Sequence, residues 1–205
     1  MKRAISPPMT RRLRSLPRLA CAALAFALTC CGPPRQGSVT DISGAMPALE
    51  FSMTRANDDK PVRATDYRGK VVILYFGYTH CPDECPTTLA NLSSVLKHLG
   101  AKADDVRVLF VSVDPDRDTL PVLNSYVRVF APQIDGLRGT PDAIAMLARR
   151  HRVTYQVTPT SPGHAYEVTH SDSVFFFDPS GRARLVAMSV DNTAAIAADI
   201  ERLLQ

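Results

Sequence analysis

The chain has 205 residues, enough for one domain of ordinary size with a short extension and too few for two full hydrophobic cores. Hydrophobic residues make up 45% and charged residues 21%, close to globular averages, so collagen-like, low-complexity and multi-span membrane architectures are excluded. The formal net charge is +4. Taken alone, that charge raises the question of nucleic acid or an anionic membrane as the partner.

The excess positive charge is confined to the first thirty residues, which contain six Lys and Arg residues and no Asp or Glu. The rest of the chain has 18 basic and 20 acidic residues, a net charge of −2. An uncharged apolar run of thirteen residues, 19–31, follows the basic stretch. Because a membrane-spanning helix needs about 20 such residues, this run is typical of a signal-peptide core. The charge therefore indicates export and gives no support to nucleic-acid binding.

The apolar run ends at two adjacent cysteines, Cys30 and Cys31, an ending that resembles a bacterial lipoprotein signal. We predict a signal peptide or lipoprotein-type anchor over residues 1–31, with Cys31 or Cys30 carrying the lipid. The predicted location is the bacterial cell envelope, anchored in the membrane and facing the periplasm. An uncleaved anchor and a soluble exported form are alternatives. A mitochondrial presequence, with the protein at the mitochondrial inner membrane, is a further alternative.

Residues 32–46 have few apolar side chains and no periodicity, which predicts a flexible tether before a folded domain over residues 47–205. In this domain, runs of β-branched and aromatic residues alternate with segments of helical periodicity. The predicted elements are a strand over 71–76, a helix from 89 to a stop at Gly100, a strand over 106–113, a helix from Thr119, a helix capped by Thr140, a hairpin of 174–177 with 185–188, and a last helix from about Asn192. Their order predicts an α/β fold with a central mixed sheet flanked by helices, for which a thioredoxin-like fold is the natural candidate.

Two cysteines four residues apart, Cys81 and Cys85, follow the first buried strand. The carboxyl end of a strand is the usual position of a functional site in an open α/β sheet. Positions i and i+4 of a helical turn place their Cβ atoms about 5–6 Å apart, so both sulfurs can face one point. We expect the N-terminus of the following helix to favour a thiolate at Cys85. Such a pair suits a soft metal ion or dithiol redox chemistry.

A structural disulfide between Cys81 and Cys85 is the alternative, because exported domains often contain one. Two features weigh against it. A bridge across four residues closes a very small loop and contributes little chain entropy, and the pair lies at a strand-to-helix turn. The other three cysteines fall in or at the end of the leader, so these two pair with each other or serve a function.

Three blocks of sequence resemble the Sco (SenC) family. They are residues 69–89, which contain CPDECP; residues 111–119, VSVDPDRDT; and residues 166–171, YEVTHS. The blocks occur in the family's order and at its spacing, and the resemblance covers the domain from about residue 47 to its end. An ordered set of this kind is far more specific than a single Cys-x-x-x-Cys motif.

The resemblance implies a membrane-tethered, thioredoxin-like copper protein that helps to assemble the dinuclear copper centre of cytochrome c oxidase. It implies that Cys81, Cys85 and His170 hold one copper ion, Cu(I) or Cu(II), and that the two cysteines can also form a redox disulfide. The implied partners are the copper-bearing oxidase subunit, other periplasmic copper chaperones or thioredoxin-like reductases, and the membrane; nucleic acid is not expected. Many members have an acidic residue directly before the histidine, whereas this chain has Thr169.

The chemistry of the implied ligands fits this interpretation. His170 lies between a Pro/Gly-rich loop, 158–163, and the predicted strand over 174–177, so the loop could bring it to the dithiol. Thiolate sulfur favours Cu(I), and an imidazole nitrogen helps to accommodate Cu(II). A structural zinc site would need a fourth ligand, and none is obvious.

Two functions remain open on the sequence. The first is a copper metallochaperone, which turns over no substrate. The second is a thiol-disulfide oxidoreductase that reduces the acceptor's cysteines through Cys81 and Cys85. The spacing favours copper binding, since thioredoxin-type reductases use Cys-x-x-Cys, and dithiol exchange does not require His170.

The other histidines and two aspartates near the motifs are not predicted to be permanent metal ligands. His80 is expected to form hydrogen bonds near its own position, and His164 could supply a transient ligand. His151 is predicted to lie on the surface. Asp114 and Asp118, in the turn after the second strand, are expected to cap the following helix.

Overall fold

The computed structural model of the chain describes residues 39–158 and 166–205. These residues form ten strands and four α-helices: β1 (Thr40–Asp41), β2 (Ser52–Arg55), β3 (Lys60–Arg63), β4 (Val71–Gly77), α1 (Glu84–Leu99), β5 (Val106–Ser112), α2 (Leu120–Arg128), β6 (Ile134–Arg138), α3 (Pro141–Arg150), β7 (Tyr155–Thr158), β8 (Glu167–His170), β9 (Val174–Phe177), β10 (Ala183–Ala187) and α4 (Thr193–Leu203). None of these described helices is both long and apolar enough to cross a membrane. The predicted leader with Cys30 and Cys31, and also His164, lie outside the described residues.

Eight strands form one mixed sheet in the order β1-β10-β9-β4-β5-β6-β2-β3. β4, β5 and β6 are parallel, and every other pairing in the sheet is antiparallel. All seven residues of β4 are buried, because this strand lies in the middle of the sheet with helices over both faces. The predicted mixed sheet flanked by helices is therefore confirmed, and β4 ends at its centre.

The helix signals in the sequence are confirmed by the observed ends. The Thr140 hydroxyl accepts the backbone N–H of Ala143 at 3.2 Å, and the Asn192 side chain accepts that of Ala195 at 3.2 Å. Gly100 ends α1 with a φ of 55°, a left-handed conformation that glycine adopts without strain.

The sheet begins before residue 47, inside the segment that the sequence assigned to the tether. Thr40 of β1 pairs with Val186 of β10, and Ile42 and Met46 pack against the core. A two-residue strand has no detectable periodicity, so the sequence pattern could not show it. The part of the predicted tether that precedes residue 39 lies outside the described residues.

A second, two-stranded sheet consists of β7 and β8, which the sequence did not predict. Its residues are mostly polar and exposed, and Val168 is the buried residue of β8. Tyr155 pairs with His170, and the N–H of Ser171 donates to the carbonyl of Thr154 at 2.9 Å. This small sheet, called the histidine hairpin below, carries His170.

The surface prediction for His151 is wrong. Its ring is only 1% exposed and packs against Phe175 and Phe177, with centroid separations of 5.5 and 5.3 Å. Its Nδ1 lies 3.0 Å from the carbonyl oxygen of Leu147, which can only accept a hydrogen bond. Burial lowers the pKa of His151, so the neutral ring serves as part of the core. The sequence did not reveal this position because the contact joins the residue after α3 to β9, a strand that lies more than 20 residues further along the chain.

Candidate metal centre

The two cysteines of the predicted site are positioned by the end of β4 and the start of α1. Gly77 ends β4, and a Cβ at this position would lie 2.5 Å from the Phe110 ring and 2.9 Å from Cys85 Sγ. Only glycine therefore allows the helix to approach the strand this closely. As a result Cys85, the second residue of α1, is fully buried, whereas Cys81 in the preceding loop is partly exposed.

Both thiols are free in the structure and lie next to each other. The backbone N–H of Cys85 donates to Cys81 Sγ at 3.4 Å, so the helix N-terminus directs an amide at the Cys81 sulfur. Burial raises the pKa of the Cys85 thiol to about 12. The expectation of a thiolate at Cys85 is therefore wrong for the metal-free protein, because burial disfavours the charged form of the sulfur.

His170 brings its free ring nitrogen to the buried cysteine. Its Nε2 lies 3.2 Å from Cys85 Sγ, and its Nδ1 lies 3.1 Å from the backbone carbonyl oxygen of Ser171. A carbonyl oxygen only accepts hydrogen bonds, so Nδ1 carries the proton and Nε2 presents its lone pair to the sulfur. The neighbouring Thr169 is exposed. The backbone carbonyl of Ser171 thus orients the imidazole.

The structure brings the three predicted ligands together. The Sγ atoms of Cys81 and Cys85 and a ring nitrogen of His170 all lie within 4.8 Å of one another. Metal–sulfur and metal–nitrogen bonds of about 2.0–2.3 Å place donor atoms roughly 4 Å apart, so one ion fits between them after small movements. Two thiolates and an imidazole form a soft donor set, which suits copper.

Two tyrosines, which the sequence did not indicate, cover the histidine. The rings of Tyr75 and Tyr78 meet the His170 ring edge to face, at centroid separations of 6.0 and 5.9 Å. Tyr75 is fully buried. Burial, followed by the nearby cysteine sulfurs, raises the pKa of both tyrosines, so both remain neutral. They shield this side of the site from water.

Asp118 fixes the cysteine loop rather than capping α2, whose N-cap residue is Thr119. The carboxylate is fully buried and accepts hydrogen bonds from the N–H and hydroxyl of Thr79, at 3.1 and 2.6 Å, and from the Ser112 hydroxyl at 2.6 Å. His80 Nδ1 lies 3.1 Å from Thr79 Oγ1, a local contact outside the three-ligand group. The expectation that Asp118 caps α2 was wrong, because its carboxylate is buried and accepts hydrogen bonds from Thr79 and Ser112 instead.

Asp114, the other expected cap, contacts the segment that leads to His170. Its carboxylate accepts hydrogen bonds from the Tyr166 hydroxyl and the Arg117 guanidinium. Arg117 also stacks over the Tyr166 ring, 4.0 Å from its centroid, and lies 5.8 Å from that of Tyr78. Burial and the Asp114 carboxylate raise the pKa of Tyr166 to about 12, so its hydroxyl remains a donor. All three residues of this cluster lie in the motif blocks, but their contacts could not be inferred from spacing.

Comparison with known proteins identifies the family. The family model SCO1/SenC matches residues 42–205. The chain belongs to the SCO1/SenC family. The match confirms the resemblance in the sequence, and the solved structures of Sco proteins confirm the thioredoxin-like fold class.

Three relatives illustrate this similarity. The mitochondrial SCO2 homologue of Bos taurus is 42% identical over 99 residues, which cover 47% of this chain and 37% of the relative. Copper-bound ScoI of Bradyrhizobium japonicum is 35% identical, with a TM-score of 0.68, and the match covers 77% of this chain and 99% of that structure. A SCO1/SenC family lipoprotein of Bacillus anthracis is 25% identical, with a TM-score of 0.67 and coverage of 80% and 98%. The matches span only 33–39% of the first curated relatives.

Proposed function

We propose that this SCO1/SenC protein is a copper metallochaperone. It binds one copper ion through Cys81, Cys85 and His170 and delivers it to the dinuclear copper site of cytochrome c oxidase. The observation that carries this proposal is the convergence of two sulfurs and one correctly protonated imidazole within 4.8 Å. The copper bound to the Bradyrhizobium relative supports the choice of metal.

The unequal exposure of the two cysteines suits transfer of copper as a cargo. Cys85 is fully buried, whereas Cys81 is partly exposed. An acceptor thiolate therefore approaches the copper from the Cys81 side and replaces that ligand first. The two thiolates hold Cu(I), and the His170 nitrogen adds affinity for Cu(II).

The proposed acceptor is the copper-bearing subunit of the oxidase, and other periplasmic copper chaperones or thioredoxin-like reductases are proposed as further partners. A lipid on Cys31 or Cys30 would hold the protein at the bacterial membrane, with a short tether before the domain and the site facing the periplasm. The Bacillus anthracis relative, itself a lipoprotein, supports this form of attachment.

A second candidate function is thiol-disulfide exchange, which is favoured by the two free, adjacent thiols. In this reaction the Cys81 thiolate attacks an acceptor disulfide and forms a mixed disulfide. Cys85 then displaces the acceptor, so that a Cys81–Cys85 disulfide forms while the acceptor gains two thiols. The electrons come from the dithiol, and each cycle therefore requires an external thiol reductant.

Copper titration of the reduced and the oxidised protein distinguishes the two functions, with sulfur-to-copper charge-transfer absorption as the readout. We expect the reduced protein to bind one copper ion per chain and the oxidised protein to bind none, since a disulfide removes both thiolates. If the reduced protein took up no copper but reduced a model disulfide, the reductase function would replace the chaperone function.

A further inference from the structure

We propose that Asp114, Arg117 and Tyr166 form a clamp that positions His170 beside the dithiol. This inference rests on the proposed copper function. It adds that the clamp raises the affinity for Cu(II) more than the affinity for Cu(I). None of the three residues belongs to the group of candidate ligands, so they act as positioning residues.

The clamp joins the histidine hairpin to the main sheet. Tyr166 directly precedes β8, the strand that ends in His170. Its hydroxyl donates to Asp114, which is only 2% exposed, and its ring lies under the Arg117 guanidinium. Arg117 also donates to the backbone carbonyl of Tyr166 at 3.3 Å and to the Asp114 carboxylate. Side chain and backbone of Tyr166 are therefore both held at the entry to β8.

The turn of residues 114–118, which contains Asp114 and Arg117, also holds the loop that leads to Cys81. Asp118, one residue after Arg117, accepts two hydrogen bonds from Thr79 in the loop that leads to Cys81. The N–H of Asp118 donates to the carbonyl oxygen of Asp114 at 2.9 Å, which ties the two carboxylate residues into one turn. Residues 114–118 therefore contact both the segment that carries the cysteines and the segment that carries the histidine.

The imidazole of His170 contacts Cys85, Tyr75 and Tyr78, but the strands that carry it have few buried residues, so contacts at the strand ends matter for its position. In the histidine hairpin, β7 has no buried residue and β8 has one, Val168. The far end of β8 is held by the bond between Ser171 and Thr154. Without the Tyr166 clamp the near end would depend on pairing with β7, and the Nε2 of His170 would sample positions away from Cys85. The two cysteines would remain in place.

The chemistry predicts which oxidation state responds. Cu(I) is satisfied by the two thiolates, whereas Cu(II) gains more from the imidazole nitrogen. Loss of an outer-shell partner typically lowers metal affinity about 10–100-fold. Loosening His170 should therefore lower the affinity for Cu(II) and leave that for Cu(I) nearly unchanged.

The test compares Tyr166→Phe, which removes the hydroxyl and keeps the ring over Arg117, with Tyr67→Phe as a matched control. Tyr67 donates to the buried carboxylate of Asp135 at 3.0 Å, the same type of bond, formed between the segment after β3 and β6. For Tyr166→Phe we expect about a tenfold loss of Cu(II) affinity, less than about a threefold change for Cu(I), and weaker nitrogen coupling in the Cu(II) electron paramagnetic resonance spectrum. Tyr67→Phe should change none of these.

A copper-free measurement separates the clamp from the proposed function. Backbone amides of β8 should exchange with deuterium faster in Tyr166→Phe than in the wild type, while those of β4 should not. If wild-type protein bound no copper, the chaperone proposal would fail, and the exchange rates would still decide whether the clamp holds β8. Unchanged β8 exchange, or equal loss of Cu(I) and Cu(II) affinity, would overturn the clamp. An equal effect of Tyr67→Phe would overturn it as well.

Discussion

The two halves of the candidate site are built in different ways. The cysteine half comes from β4 and α1, where every residue of the strand is buried and the helix lies against Gly77. The histidine half comes from the histidine hairpin, which has one buried residue in its two strands. Of the candidate ligands, Cys85 therefore belongs to the core and Cys81 packs against it, whereas His170 can be adjusted without disturbing that core.

Cys85→Ser should have the largest effect, because it removes a ligand from the rigid half. We expect copper affinity to fall by more than about 100-fold, beyond what loss of an outer-shell partner costs. The buried hydroxyl should also lower the unfolding free energy of the copper-free protein by about 1–3 kcal/mol. Copper competition and urea unfolding measure the two effects. Cys81→Ser is the matched variant. It should lower the copper affinity to a similar extent but the unfolding free energy by less, since Cys81 is partly exposed. Copper affinity within tenfold of wild type in either variant would contradict the assignment.

His170→Ala should have a smaller and more selective effect. We expect the Cu(II) affinity to fall about 100-fold and the Cu(I) affinity to fall much less, because the dithiolate still holds Cu(I). The unfolding free energy should stay within about 1 kcal/mol of the wild type, since the hairpin adds little to the core. His98→Ala, an exposed position on α1, is the control and should leave both affinities unchanged. Equal losses for both oxidation states would show that the two halves act as one rigid unit.

The two halves also differ in how well the sequence predicted them. The strand that leads to the cysteines was predictable, because β-branched and aromatic runs are distinctive in a doubly covered strand. The histidine hairpin was not, since its polar, exposed strands carry no periodic signal. His170 itself was found through the family resemblance. The roles of Asp114 and Asp118 were misassigned because local spacing suggests a helix cap. Asp114 instead accepts a hydrogen bond from Tyr166, 52 residues away, and Asp118 accepts one from Thr79, 39 residues away.

The metal affinity of the cysteine half should depend on pH. The pKa of the Cys85 thiol is raised to about 12 by burial, so copper binding must release this proton at neutral pH. The apparent affinity should therefore increase by at least about tenfold for each pH unit between about pH 6.5 and 8.5. Chelator competition at several pH values measures the slope. An affinity that did not change with pH would show that Cys85 is already ionised or does not bind the metal.

Asp178→Asn should change stability without changing the site, because the turn between β9 and β10 lies beside the start of β4, whereas the cysteines follow the end of that strand. Asp178 is buried, which opposes its charge, but hydrogen bonds from Ser180 and Arg182 lower its pKa to about 2 from 3.8. Since the folded-state pKa is the lower one, the carboxylate stabilises the fold above pH 3.8, and this contribution is lost as the pH falls through about 2.

We expect Asp178→Asn to lower the unfolding free energy by about 2 kcal/mol at pH 7 and by less at pH 3, as measured by urea unfolding. Copper affinity should match that of the wild type. A loss of copper affinity in this variant would show that the site responds to the stability of the whole sheet, and would remove the distinction between its two halves.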